Sequence, residues 1–172
     1  MTYKAFLTSI LVSSSALVLS ACGGGGEPVD SDSIVLHRGN TAEPLTLDPH
    51  KASGTWENNI IGDMFVGLFT EDAQGSPIPG MAESWEVTPD GLTWTFTLRD
   101  ANWSDGQPVT AQDFVNAWQR IADPATGAQY VSLLFPIRGV QTVNNGGDPS
   151  ELGVRAVDAQ TLEVLLENPA PY

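Results

Sequence analysis

Residues 82–114 read AESWEVTPDGLTWTFTLRDANWSDGQPVTAQDF, and this stretch decides the fold. Pro89-Asp90-Gly91 is a tight-turn triplet in which Gly supplies the positive φ. After it, Trp94, Phe96 and Leu98 alternate with Thr93, Thr95 and Thr97. That is the period of a strand with one apolar face and one β-branched polar face. Trp85 and Val87 give the same period in a shorter run before the turn, so the two runs are predicted to pair as an antiparallel hairpin. Asp105-Gly106-Gln107-Pro108 turns the chain again. Thr110 then opens a helix, with Asp113 standing where a capping box carries Glu or Gln. Phe114, Val115, Trp118 and Ile121 share one face of that helix.

Downstream, Asp123-Pro124 stops the helix, and Tyr130, Val131, Leu133, Leu134 and Phe135 form an apolar patch suited to a short helix. Residues 144–149 read as an exposed loop, and 154–157 with 161–166 as a second hairpin about Asp158-Ala159-Gln160. Upstream, Trp56, Ile60, Ile61, Met64, Phe65 and Leu68 lie at helical spacing, with Asn58, Asn59 and Asp63 opposite. This predicts a helix whose apolar face joins the core. Residues 34–38 read as a short buried strand that includes His37, and 51–55 as a loop. Glu71-Asp72 is a pair of acids read as loop, ahead of a Gly/Pro-rich turn over 75–80. Hairpins mixed with helices give an α/β, more closely α+β, class, and there are no internal repeats.

The same stretch resembles the signature region of the family 5 solute-binding proteins of ABC importers, closest to the oligopeptide branch. The family pattern A-E-S-W-E, D-G, T-F-x-L-R, A-x-W-S-D-G and P-V-T-A-x-D-F is met by residues 82–86, 90–91, 95–99, 101–106 and 108–114 in order. Residues 152–166 resemble the family's L-G-V-x-A-x-D-x-x-T-L-E-V-x-L segment, and the match extends from about residue 34 to 172. The resemblance implies a two-lobed fold of the periplasmic-binding-protein type II kind. On that basis residues 34–62 would begin the first lobe and 63–172 would form an accessory domain. It implies an N-terminal piece of a longer protein, with the second lobe downstream.

Residues 1–21 read as a targeting segment: Lys4 is a short positive start, and an apolar run with Ser and Thr follows to Leu19. That run is too short and too polar for a membrane span, which needs about 20 predominantly apolar residues. Leu19-Ser20-Ala21-Cys22 looks like a bacterial lipobox, so Cys22 is the expected lipidation site. Two or more acyl chains anchor durably where one does not. The Gly-rich and acidic residues 22–33 suit a flexible tether. The expected location is therefore extracytoplasmic, periplasmic or at the cell surface, with the chain held to the membrane by its lipid.

The 172-residue chain has seven basic and 21 acidic residues, a formal charge of −14. That balance cannot neutralise phosphates in number and excludes nucleic acid as a partner. At 41% hydrophobic with five Trp, the chain has the composition of a folded protein. Cys22 is the only cysteine, so no disulfide forms within a monomer, the expected state. His37 and His50 lack metal-protease spacing, and no G-x-S-x-G elbow, P-loop or G-x-G-x-x-G occurs. Asp100, Asn102 and Ser104 imitate the start of a calcium loop, but Asp105 and Ala111 occupy the positions that need Gly and Glu. No enzyme, metal or cofactor is expected. Trp85, Trp94, Trp103 and Trp118 read as core rather than as sugar platforms.

By resemblance, Ser53, Gly54 and Thr55 offer main-chain groups to an extended peptide, and Gly54 lets a second backbone approach closely. From the residues alone they are equally a loop before a helix. In the oligopeptide branch an acidic residue often precedes that Gly, where this chain has Ser53. Tyr130 matches a family Tyr in D-P-x-T-x-x-x-Y that lines the ligand cavity; by pattern alone it is equally a core residue. The implied function is peptide binding for an ABC importer whose permease and ATPase subunits are separate chains. The rivals are a family member for dipeptides, murein peptides, nickel or sugars, a fragment without function, and a secreted hydrolase with its active site downstream.

Overall fold

The computed structural model describes residues 37–170. The expected targeting segment and tether, the expected lipidation site Cys22 and residues 34–36 of the expected first strand lie outside them. His37 and Arg38 are exposed and belong to no strand, so the strand expected there is not found at its described end. From Gly39 onward the chain forms one compact unit.

Its frame is a four-stranded antiparallel sheet in the order β3-β4-β6-β5, built from β3 (Ala82–Val87), β4 (Thr93–Leu98), β5 (Val154–Ala156) and β6 (Thr161–Leu165). Both expected hairpins are present. Gly91 closes the first at φ 72°, with its N–H on the Thr88 carbonyl at 2.8 Å. The Thr/apolar alternation of β4 sends Phe96 and Leu98 inward, opposite the Leu162 and Val164 face of β6. Arg155 stands opposite Glu163 and grips it through two hydrogen bonds of 2.6 and 2.9 Å.

Helix α2 (Ala111–Ala122) covers that face. Asp113 accepts from the Thr110 backbone N–H at 2.7 Å, closing the capping box as expected. Ala111, Val115 and Ala122 are buried, and Phe114, Trp118 and Ile121 are half-buried. The short helix α3 (Val140–Asn144) adds Val140 and Val143, and Ile137, Leu152 and Leu166 complete the core. The apolar patch after Tyr130 is a short 3-10 turn, Val131–Leu134.

Helix α1 (Thr55–Met64) stops earlier than its apolar spacing suggests. The carbonyls of Gly67 and Leu68 are taken by the N–H groups of Gly80, Met81 and Ala82, so tertiary pairing captures the backbone that would have continued the helix. The next residues form a two-stranded ribbon, β1 (Phe69–Glu71) and β2 (Pro77–Pro79). Glu71 is thus a strand residue rather than a loop one. Two prolines are tolerated in β2 because it is an edge strand.

Two core expectations fail. The apolar face of α1 is left open, with Met64 57% and Phe65 42% exposed. Trp85 and Trp103 are also open, at 42% each, while Trp94 and Trp118 pack on the core. Trp85 lies on edge strand β3 and meets the Phe69 ring edge-on at 4.9 Å. Trp103, Met64 and Phe65 line a groove of about 480 Å³ between the end of α1, the 101–104 loop and α2.

Candidate functional site

The segment leading to residues 53–55 is fixed before it reaches them. Asp48 precedes Pro49, which keeps it out of the helical region. Its carbonyl accepts from the N–H groups of Lys51 and Ala52, both at 3.0 Å. Its carboxylate is clamped by Arg120 in the last turn of α2, through Nη1 at 2.8 Å and Nη2 at 2.5 Å. Such fork-to-fork pairing fixes orientation as well as position. The same Nη1 lies 2.7 Å from Nδ1 of His50.

The Arg120 hydrogen bond holds the Asp48 carboxyl well below the usual carboxylate range. Burial lowers His50, and the Arg120 charge lowers it further, against the pull of Asp48. A neutral imidazole is the form that sits comfortably against a guanidinium.

Ala52 is buried and anchors the turn; Ser53 and Thr55 are exposed and Gly54 is half-buried between them. Gly54 has extended dihedrals, φ −101° and ψ 157°, and caps α1 without a side chain. Its carbonyl accepts from Asn58 N–H at 3.1 Å. Gly54 lies against Glu57 and Trp56 of α1, while Ser53 before it and Thr55, the first helical residue, are exposed. Among the described residues, the backbone N–H groups of Ser53 and Thr55 find no protein acceptor. The Thr55 N–H is one of the unpaired donors that open any helix, and the Ser53 N–H lies just before them.

Tyr130, at the start of the 3-10 turn, reaches this loop: its hydroxyl donates to the Ser53 carbonyl at 3.2 Å, and the residue is 50% exposed. The structure thus brings Ser53, Gly54, Thr55 and Tyr130 together, with open donors, a tyrosine ring and access from solvent. The apolar groove at the far end of α1 includes none of these four residues. Among the described residues no three His, Cys, Asp or Glu side chains gather as a metal site. No described helix is long and apolar enough to cross a membrane.

Three supports of the site escaped the sequence reading. Arg120 and Asp48 are 72 residues apart, and nothing local announces their pairing. Glu57 was legible in principle. It begins a 57, 60, 61, 64 stripe with Ile60, Ile61 and Met64, so a carboxylate heads an apolar face.

A profile of the bacterial extracellular solute-binding proteins, family 5, middle region, matches residues 76–172. The chain belongs to this family. Over 141 residues, 80% of this family 5 chain, it is 51% identical to the periplasmic oligopeptide-binding protein OppA of Escherichia coli K12. It is 42% identical, over 95% of its length, to the periplasmic murein peptide-binding protein MppA of the same organism. The crystal structure of Haemophilus influenzae OppA in complex with RPPGFSPFR superposes with a TM-score of 0.74 at 49% identity, over 77% of this chain. The chain covers 26%, 31% and 27% of those three proteins, so it spans about a quarter to a third of their length. The mixed α/β class and the oligopeptide branch read from residues 82–114 agree with these likenesses. The relatives are binding proteins by description.

Proposed function

We propose that this chain binds peptides by their main chain, as part of the substrate-binding component of an importer. The observation that carries the reading is the meeting of Tyr130 with residues 53–55, which leaves the Ser53 and Thr55 N–H groups open beside an aromatic ring. Donors of this kind pair with an extended ligand as a strand pairs with a sheet edge, and they ignore side-chain identity. The likeness to proteins described as oligopeptide-binding and murein peptide-binding supports the same ligand class. In this reading chemistry on the ligand is absent, and ATP hydrolysis belongs to separate subunits. Cys22 carries the lipid that holds the chain at the extracytoplasmic face, and residues 34–62 and 63–172 belong to the first lobe and its accessory domain.

Calorimetry tests the ligand class. Mixed-sequence tripeptides and tetrapeptides should bind the full chain with affinities that vary little with side chain, and free amino acids should not. Preferential binding of a murein tripeptide would narrow the ligand, and binding of nickel or sugars without peptides would overturn the reading. For the anchor, an alkyne fatty acid fed to expressing cells should label the wild-type chain and not Cys22→Ser.

A further inference from the structure

Glu57 is the buried charged side chain among the described residues, 2% exposed and in the first turn of α1. A buried carboxylate is costly unless hydrogen bonds replace its water. Its Oε1 accepts from the Leu45 backbone N–H at 2.9 Å and from the Trp56 indole N–H at 2.7 Å. Its Oε2 completes no hydrogen bond among the described residues. That oxygen lies directly under Gly54: a Cβ built at Gly54 would collide with it and stand 2.8 Å from the Trp56 ring. Burial pushes the Glu57 carboxyl up, but the facing N–H groups of Leu45, Glu57 itself, the Trp56 indole and Gly54 outweigh that, so it is held below its ordinary value.

We propose that Glu57 is the positioning residue of the peptide-facing loop, a reading that rests on residues 53–55 being the main-chain site. One oxygen ties the Leu45 backbone and the Trp56 ring into a floor. The other lies against Gly54, in the space that any side chain at position 54 would need. Gly54 is thereby held at the mouth of α1, with the open Ser53 and Thr55 N–H groups on either side of it. Glycine is required at position 54 by the carboxylate beneath it, not by its dihedrals, which any residue adopts. Glu57 and Gly54 therefore act as one unit: an acceptor below, and no side chain above it.

The test compares trialanine with its ester isostere, whose main chain is the weaker hydrogen-bonding partner, by calorimetry on the full chain. Wild type should prefer the amide about fivefold. Glu57→Gln removes the charge and puts an amide with its own N–H donors beneath Gly54, and should bring that preference close to one. Gly54→Ala, which leaves the carboxylate in place and presses on it from above, should do the same and serves if the first variant fails to fold. A scaffold role alone would lower both affinities together and keep the ratio. A kept ratio in a folded variant therefore overturns the assignment of Glu57 while leaving the peptide site standing. Failure of wild type to bind either ligand overturns the peptide site itself, and this inference with it.

Discussion

The Tyr130 hydroxyl and the Ser53 carbonyl meet at 3.2 Å although 77 residues separate them in sequence. That one bond joins the loop before α1 to the turn after α2. Tyr130→Phe keeps the ring and removes the bond. Since the residue is half exposed, thermal stability should change little, while affinity for trialanine should fall about two- to tenfold, the worth of one net hydrogen bond. Calorimetry beside a melting curve separates the two effects. An unchanged affinity would leave the hydroxyl no part in the site.

The clamp of Arg120 on Asp48 and His50 makes stability depend on pH in two separate windows. The folded-state pKa of His50 lies below its ordinary value of 6.5, because burial and then Arg120 disfavour the imidazolium. The unfolded chain therefore binds the proton more readily. The stability tied to neutral His50 is fully present above about 6.5 and is lost as pH falls from there toward the folded pKa. Asp48 is also depressed, chiefly by its hydrogen bond to Arg120. Its contribution survives through the first window and is lost only below the ordinary carboxylate range. Melting temperatures measured from pH 8 to pH 3 should show both losses. His50→Gln should flatten the upper window and leave the lower, whereas Asp48→Asn should remove the lower and, by taking away the carboxylate that holds His50 up, deepen the upper.

The fold was legible where local signals agreed with one another. In residues 82–114 the turn triplet, the Thr/apolar alternation and the Thr110–Asp113 cap all point to one arrangement, and β3, β4 and α2 form accordingly. The reading failed where partners distant in sequence decide. Spacing marks an apolar face on α1 but cannot say what covers it, and Met64 and Phe65 are open. Leu68 had the right period for the helix, and its carbonyl went to Gly80 and Ala82 instead. Of the site, residues 53–55 and Tyr130 came through resemblance. Of their supports, the pairing of Asp48 with Arg120 spans 72 residues and no window of sequence contains it, whereas Glu57 heads an apolar stripe that spacing could have shown.

The capping box offers a purely local test. Thr110→Ala removes the N-cap hydroxyl at the start of α2, the helix that covers the sheet. It should cost about 1 kcal/mol, the usual price of losing such a cap. Asp113→Asn keeps the shape and removes the charge that faces the Thr110 N–H, so it should cost less than the alanine change. Urea unfolding of the two variants gives the order, and equal costs would assign the effect to the hydroxyl and charge alike.

Leu162 and Trp85 should respond to truncation in opposite measure to their size. Leu162 is 0% exposed in β6, opposite Phe96, at the point where the sheet meets the helices. Leu162→Ala removes buried methyl groups from the core face of β6, a strand held between β4 and β5. The expected loss is about 2–5 kcal/mol, a large part of the roughly 5–15 kcal/mol that holds a typical domain. Trp85 is the larger side chain, but it is 42% exposed and rests mainly on the Phe69 ring. Its truncation forfeits one edge-to-face contact of about 0.5–1.5 kcal/mol together with partial burial, and opens no closed cavity. Urea midpoints should therefore fall further for Leu162→Ala than for Trp85→Ala. The reverse order would mean that Trp85 is covered in solution by something that also stabilises the fold, and that its open face is an interface.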